Sequence, residues 1–140
     1  MANLNITAAN VLPSDNAIIE HGVAGVAIAA GDVLYRDTSD SNKLKLADAN
    51  DASAIVRAVR GIAVNSAAAG QRVSYVTEDP ALTLGTGLFA IGDGLILSAT
   101  PGKIAPEADL ASGMYRTNLG IAVSTAAISF RPFAVAVAKA

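Results

Sequence analysis

Hydrophobic and polar residues alternate along several short stretches of the chain. The clearest are residues 43–46 (KLKL), 72–75 (RVSY) and 127–131 (AISFR). Successive side chains of a strand point to opposite faces, so this alternation predicts strands with two different faces. Turn-forming residues separate the stretches at short spacing, as at Gly31-Asp32 and at Asp79-Pro80. Many short strands with frequent turns predict an all-β protein, either a β-sandwich or a barrel.

One stretch has the pattern of a helix instead. Residues 47–60 (ADANDASAIVRAVR) offer Asp51 and Ser53 as N-caps, and they end in arginine directly before Gly61. A polar cap at the start, with a basic residue and glycine at the end, is typical of helix boundaries. We therefore expect at most one short helix, of one or two turns.

The chain also repeats itself. Three motifs recur in the same order: GDVL at 31–34 and GDGL at 92–95, KL at 43–44 and KI at 103–104, and GIAV at 61–64 and 120–123. The two copies of each motif lie about sixty residues apart, which indicates two similar halves. Each half is too small to bury its own sheet face, so we expect the halves to close into a β-sandwich of jelly-roll or barrel type. The alternative is a chance resemblance between segments rich in glycine and alanine.

Residues 1–16 differ in composition from the rest. They contain four asparagines and Pro13, and they lack lysine and arginine. We interpret them as an extended N-terminal arm that either adds a strand or reaches onto a neighbouring molecule. Residues 17–140 then form a single β-sandwich domain.

Composition narrows the chemistry that the chain can perform. The chain is 52% hydrophobic, with 4% aromatic and 16% charged residues, and it has no cysteine. Without cysteine, a disulfide scaffold, a thiolate zinc site and a cysteine nucleophile are excluded. A net charge of −2 gives no electrostatic case for direct binding to nucleic acid. The longest apolar run has about ten residues, where a membrane-spanning helix needs about twenty, so no membrane partner is expected.

For each candidate catalytic or cofactor-binding motif, a simpler structural interpretation fits the sequence better. His21 is the only histidine, and it has no G-x-S-x-G motif to serve, so we expect a surface or strand-end histidine. Residues 85–90 (GTGLFA) match the letters of a dinucleotide-binding loop, but glycines follow where its helix should begin. Residues 37–42 (DTSDSN) carry oxygen ligands without the spacing of a calcium loop, and a hairpin turn explains them. We expect neither a cofactor nor a metal site, and no enzyme.

Six short motifs together resemble a known family. They are residues 29–35 (AAGDVLY), 60–64 (RGIAV), 68–73 (AAGQRV), 92–95 (GDGL), 101–104 (PGKI) and 119–123 (LGIAV). In this order they are similar to the small head decoration, or capsid cement, proteins of tailed bacteriophages. The similarity covers roughly residues 23–128, and its motifs are short and made of common residues.

This resemblance implies a jelly-roll-like β-sandwich on the outer surface of an icosahedral virion, made in the cytoplasm of the host bacterium. It implies a structural protein that bridges neighbouring subunits of the major capsid protein and stabilises the DNA-filled head. It also implies a homodimer, with a trimer as the alternative, and no catalytic residues. In that role the apolar side chains of the arm are the candidate contacts with the capsid or a partner: Leu4, Ile6, Val11 and Leu12.

Two other function classes are open at this point. One is a β-sandwich binding module for a carbohydrate or a cell-surface ligand. Sugar-binding surfaces usually present exposed aromatic rings, and this chain has six aromatic residues: Tyr35, Tyr75, Phe89, Tyr115, Phe130 and Phe133. The other class is an enzyme, for which a titrating His21 or a bound metal would be the sign.

Overall fold

The computed structural model describes residues 3–139, with the backbone alone at 135–138, so Met1, Ala2 and Ala140 of the expected arm and domain lie outside the described residues. The described part has nine strands, one single-turn α-helix and two single-turn 3-10 helices, at Ala8–Asn10 and Glu107–Asp109. The strands and the α-helix are β1 (Ile18–Val23), β2 (Val33–Asp37), β3 (Lys43–Leu46), α1 (Ala54–Arg57), β4 (Gly61–Ala63), β5 (Arg72–Thr83), β6 (Gly94–Leu97), β7 (Ile104–Pro106), β8 (Tyr115–Ala122) and β9 (Ala127–Ala138). The prediction of an all-β protein with at most one short helix is confirmed. Within residues 3–139, no helix has the length and apolar character needed to cross a membrane.

The strands form one antiparallel sheet that curls into a half-barrel. Their order is β3-β2-β4-β5-β9-β8-β6-β7, and β1 pairs with β5 beside this path. The long strand β5 pairs with different strands along its two halves. Its residues 72–78 pair with β1 and β4, whereas residues 79–83 pair with β9.

The two halves of the chain meet in the middle of β5. The first repeat (residues 18–78) orders its strands β3-β2-β4-β5-β1, and the second repeat (residues 79–139) orders its strands β7-β6-β8-β9-β5. Each repeat thus arranges corresponding strands in the same order, and the last strand of the first repeat continues into the first strand of the second. The duplication predicted from the sequence motifs is confirmed.

The duplication extends to individual hydrogen bonds in the turns Gly31-Asp32 and Gly92-Asp93. In both turns the aspartate carboxylate accepts a hydrogen bond at 2.9 Å from the backbone N–H three residues earlier. The glycine N–H donates to β4 at 2.8 Å in the first repeat, and to β8 at 2.9 Å in the second. Both glycines have a positive φ, 96° and 91°, which only glycine adopts without steric cost.

The turn predicted at Asp79-Pro80 is wrong, because β5 runs through both residues. Asp79 is buried, and its carboxylate accepts hydrogen bonds from the Ser14 N–H at 2.8 Å, the Ala81 N–H at 2.9 Å and the Ser14 hydroxyl. The pairing with β9 shifts register between Asp79 and Leu82, which makes a β-bulge. A bulge is a place where a strand tolerates proline, since the ladder is already interrupted there. The turn signal therefore marks the junction of the two repeats.

Strand pairing also fixes which side chains of the two repeats are equivalent. The front face of the first repeat lies under residues 24–30 of the same chain and is formed by Leu34, Ala63 and Tyr75. Its back face is formed by Val33, Ile62 and Val76. This back face packs in one core with the front face of the second repeat, formed by Leu95, Ala122 and Ile128. None of these six core side chains is more than 2% exposed, so the repeats stack back to front around a buried apolar core.

Candidate interaction surfaces

The arm lies against the domain, where it makes strand-like contacts. Leu4 donates its N–H to the Ile104 carbonyl of β7 at 2.8 Å. Leu4 and Ile6 are half-buried against the shared core, and Val11 belongs to that core. Leu12 also pairs through its backbone with the end of β5, but its side chain is 64% exposed. Three of the four predicted contact residues are thus packed within the chain, and only Leu12 faces solvent.

Polar contacts and a glycine hold the arm in place. Asn3 donates to the Thr100 hydroxyl at 3.1 Å and accepts a hydrogen bond from the Ser98 hydroxyl. A Cβ at Gly31 would lie 2.8 Å from Ile6 Cγ2, so the glycine of the turn also makes room for the arm. The arm and this turn together line an open pocket of about 280 Å³.

The chain crosses from the arm into β1 while it runs antiparallel along β5, and residues 12–16 of the arm belong to this crossing. This crossing segment (residues 12–19) carries three exposed apolar side chains: Leu12, Ile18 and Ile19. The pairing of β1 with β5 shifts register between Ile18 and Ile19, so a bulge lies where both side chains are exposed. The backbone of the segment is fixed midway by the hydrogen bonds from Ser14 to Asp79. The crossing segment therefore presents apolar side chains on a held backbone.

A charged cluster fixes β1 directly after the crossing segment. Glu20 Oε1 accepts hydrogen bonds from Arg60 Nη2 at 2.6 Å and from the Tyr75 hydroxyl at 3.1 Å, and Arg36 Nη2 lies 3.7 Å away. Burial acts to raise the pKa of Glu20, but the hydrogen bonds from Arg60 and Tyr75 outweigh it and lower that pKa. The ionised carboxylate thus ties β1 to β2, to β5 and to Arg60, the residue directly before β4.

In the part of the chain that the structure describes, the back face of the second repeat is open apart from the Glu107 side chain, which lies over Gly94. Where the first repeat has Val33, Ile62 and Val76, the second has Gly94, Ile121 and Ser129. Ile121 is 58% exposed, whereas the equivalent Ile62 is 0% exposed. These residues line an open groove of about 410 Å³, whose walls also include Glu107, Asn118 and Arg131.

The second half of β9 borders this open groove. Phe133 and Ala134 pair with β8 beyond a register shift, and within residues 3–139 no strand pairs with their other edge. Arg131 Nε lies 3.1 Å from Glu78 Oε1, and the Phe133 ring is 66% exposed. Pro132 has no N–H to offer along this edge, which limits unspecific strand addition.

The residues considered for catalysis or metal binding have ordinary structural roles. His21 is exposed, and its Nδ1 lies 2.7 Å from the Ser74 hydroxyl. Asp37 and Asp40 of the hairpin turn contact Lys45 Nζ at 2.8 and 3.0 Å, and the hydrogen bonds from Lys45 and Ser39 lower the pKa of Asp37 to about 2. Residues 85–90 form a loop with no helix after it. Among the described residues, no group of three or more histidine, aspartate or glutamate side chains could hold a metal ion.

No protein-family model matches the chain, and no curated protein matches it in sequence. The two exposed apolar surfaces are therefore the main guide to function. The sequence motifs did not single out Ile121, because the same GIAV motif places Ile62 in the core. A signal was present in the neighbours: Gly94 and Ser129 replace the two valines that accompany Ile62 in the first repeat.

Proposed function

We propose that this is a structural virion protein that binds the outside of an icosahedral bacteriophage capsid. It bridges neighbouring subunits of the major capsid protein and so stabilises the DNA-filled head. The observation that carries the proposal is the crossing segment, which holds Leu12, Ile18 and Ile19 exposed on a fixed backbone. Apolar side chains presented in this way suit contact with another protein.

The energetics of the crossing segment support a protein contact. Complete burial of a leucine or isoleucine side chain contributes about 1.5–3 kcal/mol, so three half-exposed ones supply a useful part of an interface. Ser14 and Glu20 already order the backbone on either side, so little conformational entropy is lost on binding. A standard interface buries about 800 Å² on each partner, which one surface of a domain this size can provide.

To bridge two subunits of the capsid, one oligomer of the protein must contact the shell at two places. A dimer provides two crossing segments, and the second contact then forms at high effective concentration. Such bivalent binding exceeds the affinity of a single contact by about 10²–10⁴-fold. Because the dimer binds only the assembled shell, it stabilises that state against heat and internal pressure.

The alternative of a carbohydrate-binding module has less support from the surface. Of the six aromatic rings, Tyr35, Tyr75 and Phe130 are buried, and Phe133 alone is prominently exposed. A single ring does not make the stacking surface that sugar recognition commonly uses.

The test is co-sedimentation of the purified protein with cognate heads that lack it. We expect saturable rebinding and a higher temperature of head disruption. Leu12→Asp should weaken rebinding at least tenfold, because it places a charge in the contact. The matched control is Ile55→Asp, which changes a similarly apolar exposed side chain on α1 and should rebind normally.

Failure of the wild-type protein to sediment with heads would overturn the proposal. Equal rebinding by Leu12→Asp and the wild type would move the shell contact away from the crossing segment. Binding to a glycan array, without binding to heads, would establish the carbohydrate alternative.

A further inference from the structure

We infer that the second repeat contains a binding site for an extended peptide with alternating apolar residues, and that residues 3–6 of the arm are its ligand within the same chain. The site consists of the outer edge of β7, the last strand of the sheet, and the facing turn at Gly31-Asp32. We call it the peptide site. The inference concerns the free chain and goes beyond the proposed function.

The first repeat shows what the edge of such a strand binds. The end strands β3 and β7 are equivalent, and their pairing with β2 and β6 matches Leu44 of β3 to Ile104 of β7. The Leu44 carbonyl accepts a hydrogen bond from the Gly25 N–H at 2.8 Å, and the Ile104 carbonyl accepts one from the Leu4 N–H at 2.8 Å. The arm therefore takes the place in the second repeat that residue 25 takes in the first.

The connection that follows β5 does not fill the peptide site, because it runs elsewhere. Gly85, which stands sixty positions after Gly25, donates its N–H to the Ala126 carbonyl instead. Leu88 of the same connection packs against the shared core. The edge of β7 is thus left for a segment from outside the second repeat.

The contacts of the arm define the chemistry of the ligand. Leu4 and Ile6 are half-buried and the intervening Asn5 is exposed, which is the alternation of an extended strand. The absence of a side chain at Gly31 makes room for Ile6. The Asn3 side chain forms hydrogen bonds with two hydroxyls of the β6–β7 turn. The ligand is therefore an extended chain with apolar residues at alternate positions and an amide side chain before the first.

The link between this ligand and the domain is exposed. All four side chains of residues 7–10 are exposed, and the Asn10 N–H donates to the Thr7 carbonyl at 2.9 Å, within the link itself. Beyond the link, Leu12 is held on Thr83 by two backbone hydrogen bonds of 3.0 Å. The open pocket between the arm and the turn shows that the arm fills the peptide site incompletely. Residues 3–6 can therefore leave and re-enter the site while the strands stay folded.

The first experiment compares two amides of the intact protein by hydrogen exchange. Leu4 and Gly25 are both half-buried, and their N–H groups make the same hydrogen bond to equivalent carbonyls. We expect a protection factor about tenfold lower at Leu4, because its N–H is freed whenever the arm leaves, whereas Gly25 opens only with the strands around it. Equal protection factors would overturn the inference.

The second experiment cuts the link in the full chain. A protease recognition sequence is inserted between Ala9 and Asn10, where the exposed backbone should tolerate it. Cleavage removes the covalent tether, which supplies an effective concentration on the order of 1 mM. The cut segment should then dissociate on dilution, and a fluorescent synthetic peptide of residues 1–9 should bind in its place, measured by anisotropy. Circular dichroism checks that the cleaved protein is folded.

Variants of the synthetic peptide test which contacts hold it. Leu4→Asp should weaken its binding by about tenfold or more, because a charge replaces a half-buried apolar side chain. Asn5→Asp is the matched control, since it adds the same charge at the neighbouring exposed position and should bind like the unaltered peptide.

A cleaved protein that unfolds, a folded cleaved protein that does not bind the peptide, or equal binding by the Leu4→Asp peptide would overturn the inference. These measurements need no capsid and leave the crossing segment in place. Failure of the intact protein to rebind heads would refute the capsid role and would not touch the peptide site.

Discussion

The two repeats share a hydrogen-bonded frame, yet only the first repeat buries both faces of its sheet. The frame depends on local features, the glycine-aspartate turns and the strand pairing, and these are the same in both. The covering depends on where the connecting segments run. Residues 24–30 cross the outside of the first repeat, whereas the equivalent loop places Leu88 and Phe89 against the shared core. A duplicated frame therefore does not imply a duplicated environment.

The strongest test of this comparison replaces equivalent leucines. Leu34→Ala and Leu95→Ala should each lower the free energy of unfolding by about 2–5 kcal/mol, because both residues are completely buried. The two substitutions should differ in how much of the protein they destabilise. Leu95 lies in the core that the repeats share, so its loss should speed amide hydrogen exchange in both repeats. Leu34 lies in the front cluster of the first repeat, and its loss should act mainly there. Exchange confined to the second repeat in Leu95→Ala would contradict the shared core.

The next test concerns the two glycines of the duplicated frame. A Cβ at Gly61 would overlap the Val76 carbonyl oxygen, and a Cβ at Gly120 would overlap that of Ser129. Each alanine substitution should therefore cost about 1–3 kcal/mol, measured by denaturant unfolding. Gly70→Ala is the control, since its Cβ meets no atom within 4 Å and only its positive φ is strained. A large effect at one frame glycine alone would show that the frames are not equivalent.

A smaller difference is expected at the turn aspartates. Asp32 is buried and Asp93 is exposed, although each accepts the same backbone hydrogen bond. Asp32→Ala should cost about 1–3 kcal/mol, because it removes a buried carboxylate that accepts the Ala29 N–H and contacts Lys103. Asp93→Ala should cost about 0.5–1.5 kcal/mol, since water can replace the carboxylate there. Equal losses in the free energy of unfolding would mean that the different exposure of the two aspartates does not affect their contribution to stability.

The smallest effect is a dependence on pH that only the first repeat should show. The pKa of Asp37 falls from its ordinary 3.8 to about 2, chiefly through the hydrogen bond from Lys45. A lowered pKa means that the stabilisation is complete above pH 3.8 and is lost as the pH falls towards 2. Amide exchange in the β2–β3 hairpin should quicken in that window, and Asp37→Asn should reduce the change to the part that comes from Asp40, whose pKa is also lowered by Lys45. The β6–β7 hairpin turns at Pro101-Gly102 and should show no such step.

Much of the fold was accessible from the sequence because it is set locally. Alternation located β3 and parts of β5 and β9, and the spaced motifs located the duplication. The sequence could not show whether the arm packs on its own domain or on a neighbouring molecule. Leu4 and Ile6 would bury the same apolar surface in either place. The turn predicted at Asp79-Pro80 was wrong because the Asp79 carboxylate accepts hydrogen bonds from Ser14, a residue far away in the sequence. Such a long-range contact does not show in the local pattern. The exposure of Ile121 depends on what stacks on a sheet face, which a single motif does not encode.

The continuity of β5 across the junction has a mechanical consequence. Tension along this strand pulls on its hydrogen bonds to β1, β4 and β9 in shear, so that they must break together. A hinged linker between the repeats would instead let them swing apart and unzip one bond at a time. The molecule should resist stretching along β5 far better than peeling at β3 or β7, the two outer strands of the sheet.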